Sequence, residues 1–292
     1  MSETVVAIFG PTASGKTEVA EALADLVPAE IVSADSMQVY RGLPILTNQP
    51  TRPTALVGIW PLEHESSVAE YGRLAHEAID AALDAGRSAI VVGGTGLYLR
   101  AALADLDVPP APSPGARERW EALYDRVGPD DAHSLLAERD AAAAVQVHPN
   151  DRRRVVRALE LHEAGSSLAP SEDRLWSVDT RRPTRLFGLE VPITVLEVRI
   201  QRRTEAMFAR GVADEVAVAA AGPLSATAAQ IIGLEEVARL PRDEAISAIV
   251  LRTRQFAAYQ RKWMRRVPGL VPIEADRPPD VVAADLLSRL EV

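Results

Sequence analysis

The stretch "TVVAIFGPTASGKTEV", residues 4 to 19, constrains the fold more than any other part of the chain. Its apolar run, bounded by Gly-Pro, reads as a buried parallel strand. The octet from Gly10 to Thr17 fits G-x-x-x-x-G-K-[ST], and a segment with helical spacing follows it. Strand, glycine-rich turn and helix in that order make a phosphate cradle. Gly10 and Gly15 let the backbone bend so that N–H groups face an anion, and the helix start adds partial positive charge. The candidate diphosphate- or nucleotide-binding residues are therefore Gly10, Pro11, Thr12, Ala13, Ser14, Gly15, Lys16 and Thr17. Lys16 reaches the terminal phosphate oxygens, and the Thr17 hydroxyl is the candidate Mg2+ ligand. Lys16 and Lys262 are the only lysines; every other basic residue is arginine. A compact ammonium at the one position that needs it points to function.

The alternation continues beyond this motif. "EIVSAD", residues 30 to 35, reads as a second strand, and "SAIVVGGTG" as a third that runs into glycines. Between them "SVAEYGRLAHEAIDAALDAG" is amphipathic, with Ser67 placed to cap a helix and Gly86 to stop it. This pattern predicts an α/β fold, a parallel sheet flanked by helices of the P-loop nucleotide-triphosphate-hydrolase type. Near Leu106 it breaks. The proline-rich "DVPPAPSPG" leads into helical sequence from Ala116 to about Ala164, then a loop-like stretch, before "RLFGLEV" re-enters the sheet and helix resumes to the end. The expected organisation is a catalytic core of 1–108 and 185–292, with a helical insertion at 109–184 whose proline-rich edges suit a pivot.

Several function classes fall away. The chain has no cysteine, and its five histidines have no metal-ligand spacing. No apolar run reaches membrane-span length, and the N-terminus does not read as a signal peptide. A cytoplasmic monomer without membrane contact is the expectation. A net charge of -9 argues against a general nucleic-acid coat. Even so, "RTRQFAAYQRKWMRR" and "RRRVVR" concentrate positive charge without acids, which suits a localised polyanion contact. The third strand ends without the carboxylate that a motor or switch NTPase uses for Mg2+, so that class is disfavoured. A small-molecule kinase or another group transferase stays open. Asp35 ends the second strand on the rim where α/β sheets bind ligands. There it can hold Mg2+ through water, take a proton from an acceptor, or merely cap the next turn.

The blocks "GPTASGKT", "ADSMQVYRGL", "GGTGLYLRA", "HPNDRRRVVRALE", "RIQRRTEAMFARGVADEV" and "RTRQFAAYQRKWMRR", in that order, resemble those of the tRNA dimethylallyltransferases over nearly the whole chain. The resemblance implies that the loop holds the diphosphate of dimethylallyl diphosphate rather than ATP. The dimethylallyl group would go to the exocyclic N6 amine of the adenosine 3'-adjacent to the anticodon, and diphosphate would leave. It further implies Asp35 as general base, with Thr95 and Arg203 at the diphosphate or the reacting centre and Arg199, one turn from Arg203, as a second candidate. Asp35, Ser36, Met37 and Gln38, with Thr95, would line the adenosine pocket, the Gln38 amide touching the base edge. Arg117, Arg153, Arg154, Val155, Val156 and Arg157 match family positions that touch tRNA. The implied partners are a tRNA anticodon stem-loop and dimethylallyl diphosphate, with Mg2+ as cofactor. Segments 44–63 and 228–260 contain departures from the family pattern. The rival readings are a small-molecule kinase on the same core, a transferase acting on free adenine nucleotides, and a noncatalytic RNA-binding protein. The first leaves the basic insertion without a role, the second leaves the arginine clusters unused, and the third leaves Lys16, Thr17 and Asp35 intact for no reason.

Overall fold

The computed structural model describes residues 4–106, 113, 115–169, 175 and 177–290. By internal contacts the chain divides into two compact units, 1–106 with 175–292, and 107–174. In the first, β1 (Val5–Phe9), α1 (Lys16–Leu26), β2 (Ala29–Ser33), α2 (Val68–Asp84), β3 (Ser88–Gly93) and α3 (Gly96–Leu103) follow one another. The second unit holds α4 (Ala116–Val127), α5 (Pro129–Arg139), α6 (Ala141–Gln146) and α7 (Arg152–Glu163). The chain then supplies β4 (Thr184–Glu190), α8 (Ile193–Ala209), α9 (Val212–Ala220), α10 (Leu234–Arg239), α11 (Arg242–Met264), β5 (Val271–Glu274) and α12 (Pro279–Leu290) to the first.

The sheet order is β2-β3-β1-β4-β5, and every pairing is parallel. Helices cover both faces, so the central strand β1 is apolar without a break. The period-two geometry is visible in β1. Val5, Ala7 and Phe9 enter one core cluster with α2 and α3, whereas Val6 and Ile8 enter another with α1 and α12. Each of these large side chains contributes about 1.5–3 kcal/mol by leaving water. Because all strands run the same way, the segments after β1, β2 and β3 emerge on one rim. Ser67 caps α2 by accepting from the Glu70 amide at 3.1 Å, and Gly86 follows the helix at φ 71°.

Two expectations need adjustment. The C-terminal segment is not helical throughout, since Val271–Glu274 adds a fifth strand to β4. Only Ile273 of its four residues is buried, so hydrophobic alternation carries no signal there. The second unit also ends at 174, short of the 184 expected for the insertion. Residues after 174 are tied to the first unit by buried Arg100, whose Nε donates to the Leu175 carbonyl at 2.9 Å. Arg181 donates its backbone N–H to the Leu103 carbonyl at 2.7 Å and forms an ion pair with Asp80 at 2.6 Å. Most of the proline-rich segment expected to act as a pivot lies outside the described residues.

Candidate active site

The rim above β1, β2 and β3 opens into a cavity of 570 Å3 lined by Thr12–Thr17, Asp35, Met37, Gln38, Arg199, Arg203 and Gln260 among others. The loop between β1 and α1 is folded for anions. Gly15 stands at φ 86° and Ala13, without a glycine's freedom, at φ 64°. Left-handed backbone at a non-glycine residue costs roughly 1–2 kcal/mol and concentrates at functional loops. The first amides of α1 have no intrahelical partner and lie at the positive end of its dipole. Ser14 Oγ is buried without a hydrogen-bond partner, another donor with nothing to satisfy it.

Two cations converge on this loop. The Lys16 ammonium donates to the Pro11 carbonyl at 2.9 Å. Burial lowers its pKa to about 8, against the opposing pull of Asp35, while Arg203 lowers it further and Glu18 raises it. Burial also lowers the pKa of Arg203, with Asp35 and Glu18 acting the other way, and its Nε has no partner. Arg199, one turn earlier on α8, lines the same cavity but is paired with Asp276 at 2.8 Å. Arg203 lines the cavity with no such pairing and is a buried guanidinium available to an anionic ligand.

Asp35 serves both as a cap and as an open carboxylate. Its Oδ1 accepts from the amides of Met37 at 2.9 Å and Gln38 at 3.4 Å, which fixes the turn after β2. No hydrogen bond engages Oδ2 among the described residues, so one oxygen holds the backbone and the other is free for chemistry. Thr95 stands at the N-cap of α3, yet its hydroxyl makes no capping bond. It accepts from the Ser36 amide at 3.2 Å and meets the Ser36 hydroxyl at 3.2 Å, tying the β3–α3 turn to the residue after Asp35.

Gln38, expected to touch the base edge, lines the cavity and also holds its own loop. Its Oε1 accepts from Ser33 Oγ at 3.1 Å, and its Nε2 donates to the Thr47 and Asn48 carbonyls at 3.3 and 2.9 Å. The amide is already committed to shaping the loop over 43–49. From the other side Glu215 of α9 accepts from the Ile45 and Leu46 amides at 2.8 and 2.7 Å. Gln260 on α11 was missed as well. Its Oε1 accepts from the Thr12 amide at 2.7 Å and its Nε2 donates to the Gly94 carbonyl at 2.8 Å. The signal available was one of two glutamines, the other being Gln255, inside a basic helical run.

The donors present fit Mg2+. Thr17 and Asp35 bring hard oxygens to one cavity, and among the described residues no group of three or more His, Asp or Glu could cage a metal. Mg2+ characteristically takes one or two protein oxygens and completes its shell with water and phosphate.

In the second unit α7 separates the proposed RNA contacts by role. Val155 and Val156 are buried in the hydrophobic cluster with Tyr124 and Leu136, so these side chains are not surface contacts. Arg117 and Arg157 both pair with Glu160, at 3.0 and 3.1 Å, and its side chain is fully buried. Arg153 and Arg154 are exposed and make no side-chain ion pair or hydrogen bond among the described residues. Substituting Arg117 and Arg157 together by Ala is expected to cost about 3 kcal/mol. That is the lower end for unpairing a buried charge, because both guanidinium groups are partly wet. Thermal unfolding of the parent and the double variant checks this, and a loss of RNA binding in that variant would reflect folding first.

Comparison with known proteins meets this geometry. A family model described as IPP transferase matches residues 38–267, and one described as Isopentenyl transferase matches 3–55. Fold and site thus define the class of isopentenyl-group transferases on a parallel α/β core. The tRNA dimethylallyltransferase of Corynebacterium jeikeium is 38% identical over 96% of this chain and 94% of its own length. That of Streptomyces coelicolor is 39% identical over 90% and 88%. The crystal structure of the tRNA isopentenylpyrophosphate transferase of Bacillus halodurans superposes with a TM-score of 0.69 at 30% identity, covering 99% of this chain and 97% of that one. A eukaryotic dimethylallyltransferase acting on tRNA superposes with a TM-score of 0.79 at 25% identity, covering 98% and 80%. The chain belongs to the tRNA dimethylallyltransferase family.

Proposed function

We propose that this chain transfers a dimethylallyl group from dimethylallyl diphosphate to the exocyclic N6 amine of the adenosine 3'-adjacent to the anticodon of tRNA, releasing diphosphate. The observation that carries the reading is that Asp35, with one carboxylate oxygen free of hydrogen bonds among the described residues, lines the same cavity as two buried cations and acts electrostatically on both Lys16 and Arg203. Such a cavity suits a reaction that deprotonates a nucleophile while discharging an anion.

The loop over residues 10–17 binds the diphosphate through its amides and the start of α1. Lys16 and Arg203 neutralise charge as it gathers on the leaving oxygen, an interaction worth most at the transition state. Thr17 would hold Mg2+, which when bound adds neutralisation of the diphosphate charge. The adenine amine is a poor nucleophile because its lone pair is delocalised into the ring. As its nitrogen bonds to the prenyl carbon, the carbon–oxygen bond to diphosphate breaks and the electron pair leaves with that oxygen. The amine proton passes to Asp35 Oδ2. Adenine must leave its stack to reach this depth.

Incubating the chain and Mg2+ with labelled dimethylallyl diphosphate and either an anticodon stem-loop or AMP, beside a lane with ATP and a small alcohol, tests the assignment. Label is expected on the stem-loop. Label on AMP alone, or phosphoryl transfer from ATP, overturns it in favour of a free-nucleotide transferase or a kinase. The second unit supplies the RNA grip through Arg153 and Arg154. Replacing both with Ala is expected to lower the slope of log affinity against log salt by about two, roughly one per lost phosphate contact. Equilibrium binding across a salt series measures it, and an unchanged slope removes both residues from the interface.

A further inference from the structure

The diphosphate loop follows β1 and the acceptor base follows β2, so the reacting partners hang from different strand ends. Something must fix their separation. We propose that Gln260 is the positioning residue that holds the diphosphate loop and the Asp35 turn in register for transfer, acting through the backbone of Thr12 and Gly94. This rests on the prenyl-transfer reading above. Gln260 is 2% exposed, and its two amide bonds clamp the Thr12 amide to the Gly94 carbonyl. The next residue, Thr95, accepts from the Ser36 amide, and Ser36 adjoins Asp35. A continuous chain therefore runs from the anion loop through Gln260, Gly94, Thr95 and Ser36 to the base.

The chemistry of the side chain matches the task. The gap presents one backbone donor and one backbone acceptor, and a carboxamide answers both with separate atoms while remaining neutral in a buried site. A carboxylate would face the Gly94 carbonyl with an acceptor, and an ammonium would face the Thr12 amide with a donor. The fit is close, since a Cβ added to Gly94 would lie 2.2 Å from Gln260 Nε2. With Thr12 engaged by Gln260 and the Ser14 amide by the Pro11 carbonyl at 3.2 Å, the first-turn amides of α1 are left for the diphosphate. Transfer tolerates little misplacement: about 1 Å between reacting atoms is enough for a hundredfold loss.

The test uses the full chain with Mg2+, dimethylallyl diphosphate and an anticodon stem-loop, comparing the parent with Gln260→Met, Gly94→Ala and the double variant. Gln260→Met keeps length but offers neither donor nor acceptor, and Gly94→Ala pushes a methyl against the carboxamide. Each is expected to lower kcat by roughly tenfold to a hundredfold with KM for the stem-loop within about twofold, and the double variant to be little worse than Gln260→Met alone. Calorimetric titration with inorganic pyrophosphate is expected to show weaker binding in Gln260→Met. A residue that merely fills the core would lower the melting temperature of Gln260→Met and leave kcat and pyrophosphate affinity in place. That result, or additive losses in the double variant, overturns the proposal, and Gly94→Ala decides the matter should Gln260→Met fail to fold. If the parent transfers no label, the prenyl-transfer reading fails separately. The pyrophosphate titration then judges Gln260, with unchanged affinity counting against it.

Discussion

Asp35→Asn is expected to lower kcat by a factor of roughly a hundred to ten thousand, the range for losing a positioned general base, with the fold intact. The case for Asn rather than Ala comes from the two oxygens. Oδ1 accepts from the Met37 and Gln38 amides, and Asn preserves that acceptor. Only Oδ2 changes, from a proton acceptor to an NH2 group. Asp35→Ala removes the cap as well, at about 1 kcal/mol by analogy with helix caps, and thus mixes a structural loss with the chemical one. The expected pattern is that both variants lose turnover while only Asp35→Ala loses measurable stability. Single-turnover rates and thermal melts of the three proteins decide it. An Asn variant as fast as the parent would return Asp35 to a purely structural role.

The expectation that Asp35 is either a base or a cap posed a false choice, because one carboxylate can do both with different oxygens. The features visible in the sequence were those with local signatures. The apolar β1 run followed by "GPTASGKT" specified strand, turn and helix, and Ser67 and Gly86 bounded α2. The features hidden from it join distant residues or lack periodicity. The strand β5 is four residues long with one buried side chain, so neither alternation nor a continuous apolar run marks it. Gln260 meets Thr12 across 248 residues of chain, and nothing in the spacing of "AAYQRK" distinguishes a glutamine facing a loop carbonyl from one facing water. Gln38 adds a role that the sequence does not display: beside the candidate base Asp35, its amide holds the Thr47 and Asn48 carbonyls. The "RRRVVR" run divides for a third reason. Helix geometry places neighbouring residues on different faces, so α7 sends Val155 and Val156 to the core, Arg157 to Glu160, and only Arg153 and Arg154 into solvent.

Lys16 gives the remaining large effect, and its sign follows from its surroundings. Burial lowers its pKa from 10.5 to about 8, so in the free protein the ammonium begins to lose its proton near pH 8. For folding, a lysine whose pKa lies below its unfolded value is a cost. That cost is full below about pH 8 and is relieved as pH rises toward 10.5, because the unfolded chain binds more protons in that window. Ligand binding reverses the balance. An organic diphosphate, fully ionised in this range, favours the charged ammonium and raises the pKa again. Binding therefore takes up a proton above about pH 8, and affinity for dimethylallyl diphosphate should be flat below that and fall by up to about tenfold per unit beyond it. Lys16→Ala is expected to weaken binding by roughly ten- to a hundredfold, the worth of a hydrogen bond to a charged group. It should lower kcat by a further hundredfold or more, since the leaving diphosphate loses a neutralising contact when its charge is greatest. The same substitution should abolish the alkaline fall, because it removes the ammonium whose lowered pKa produces it. Calorimetric titrations of both proteins between about pH 7 and about pH 10, with turnover measured at saturating donor, separate the two effects. A parent whose affinity is level through pH 8, or a variant that keeps the alkaline limb, would mean that Lys16 stays bonded to the Pro11 carbonyl and never grips the leaving group.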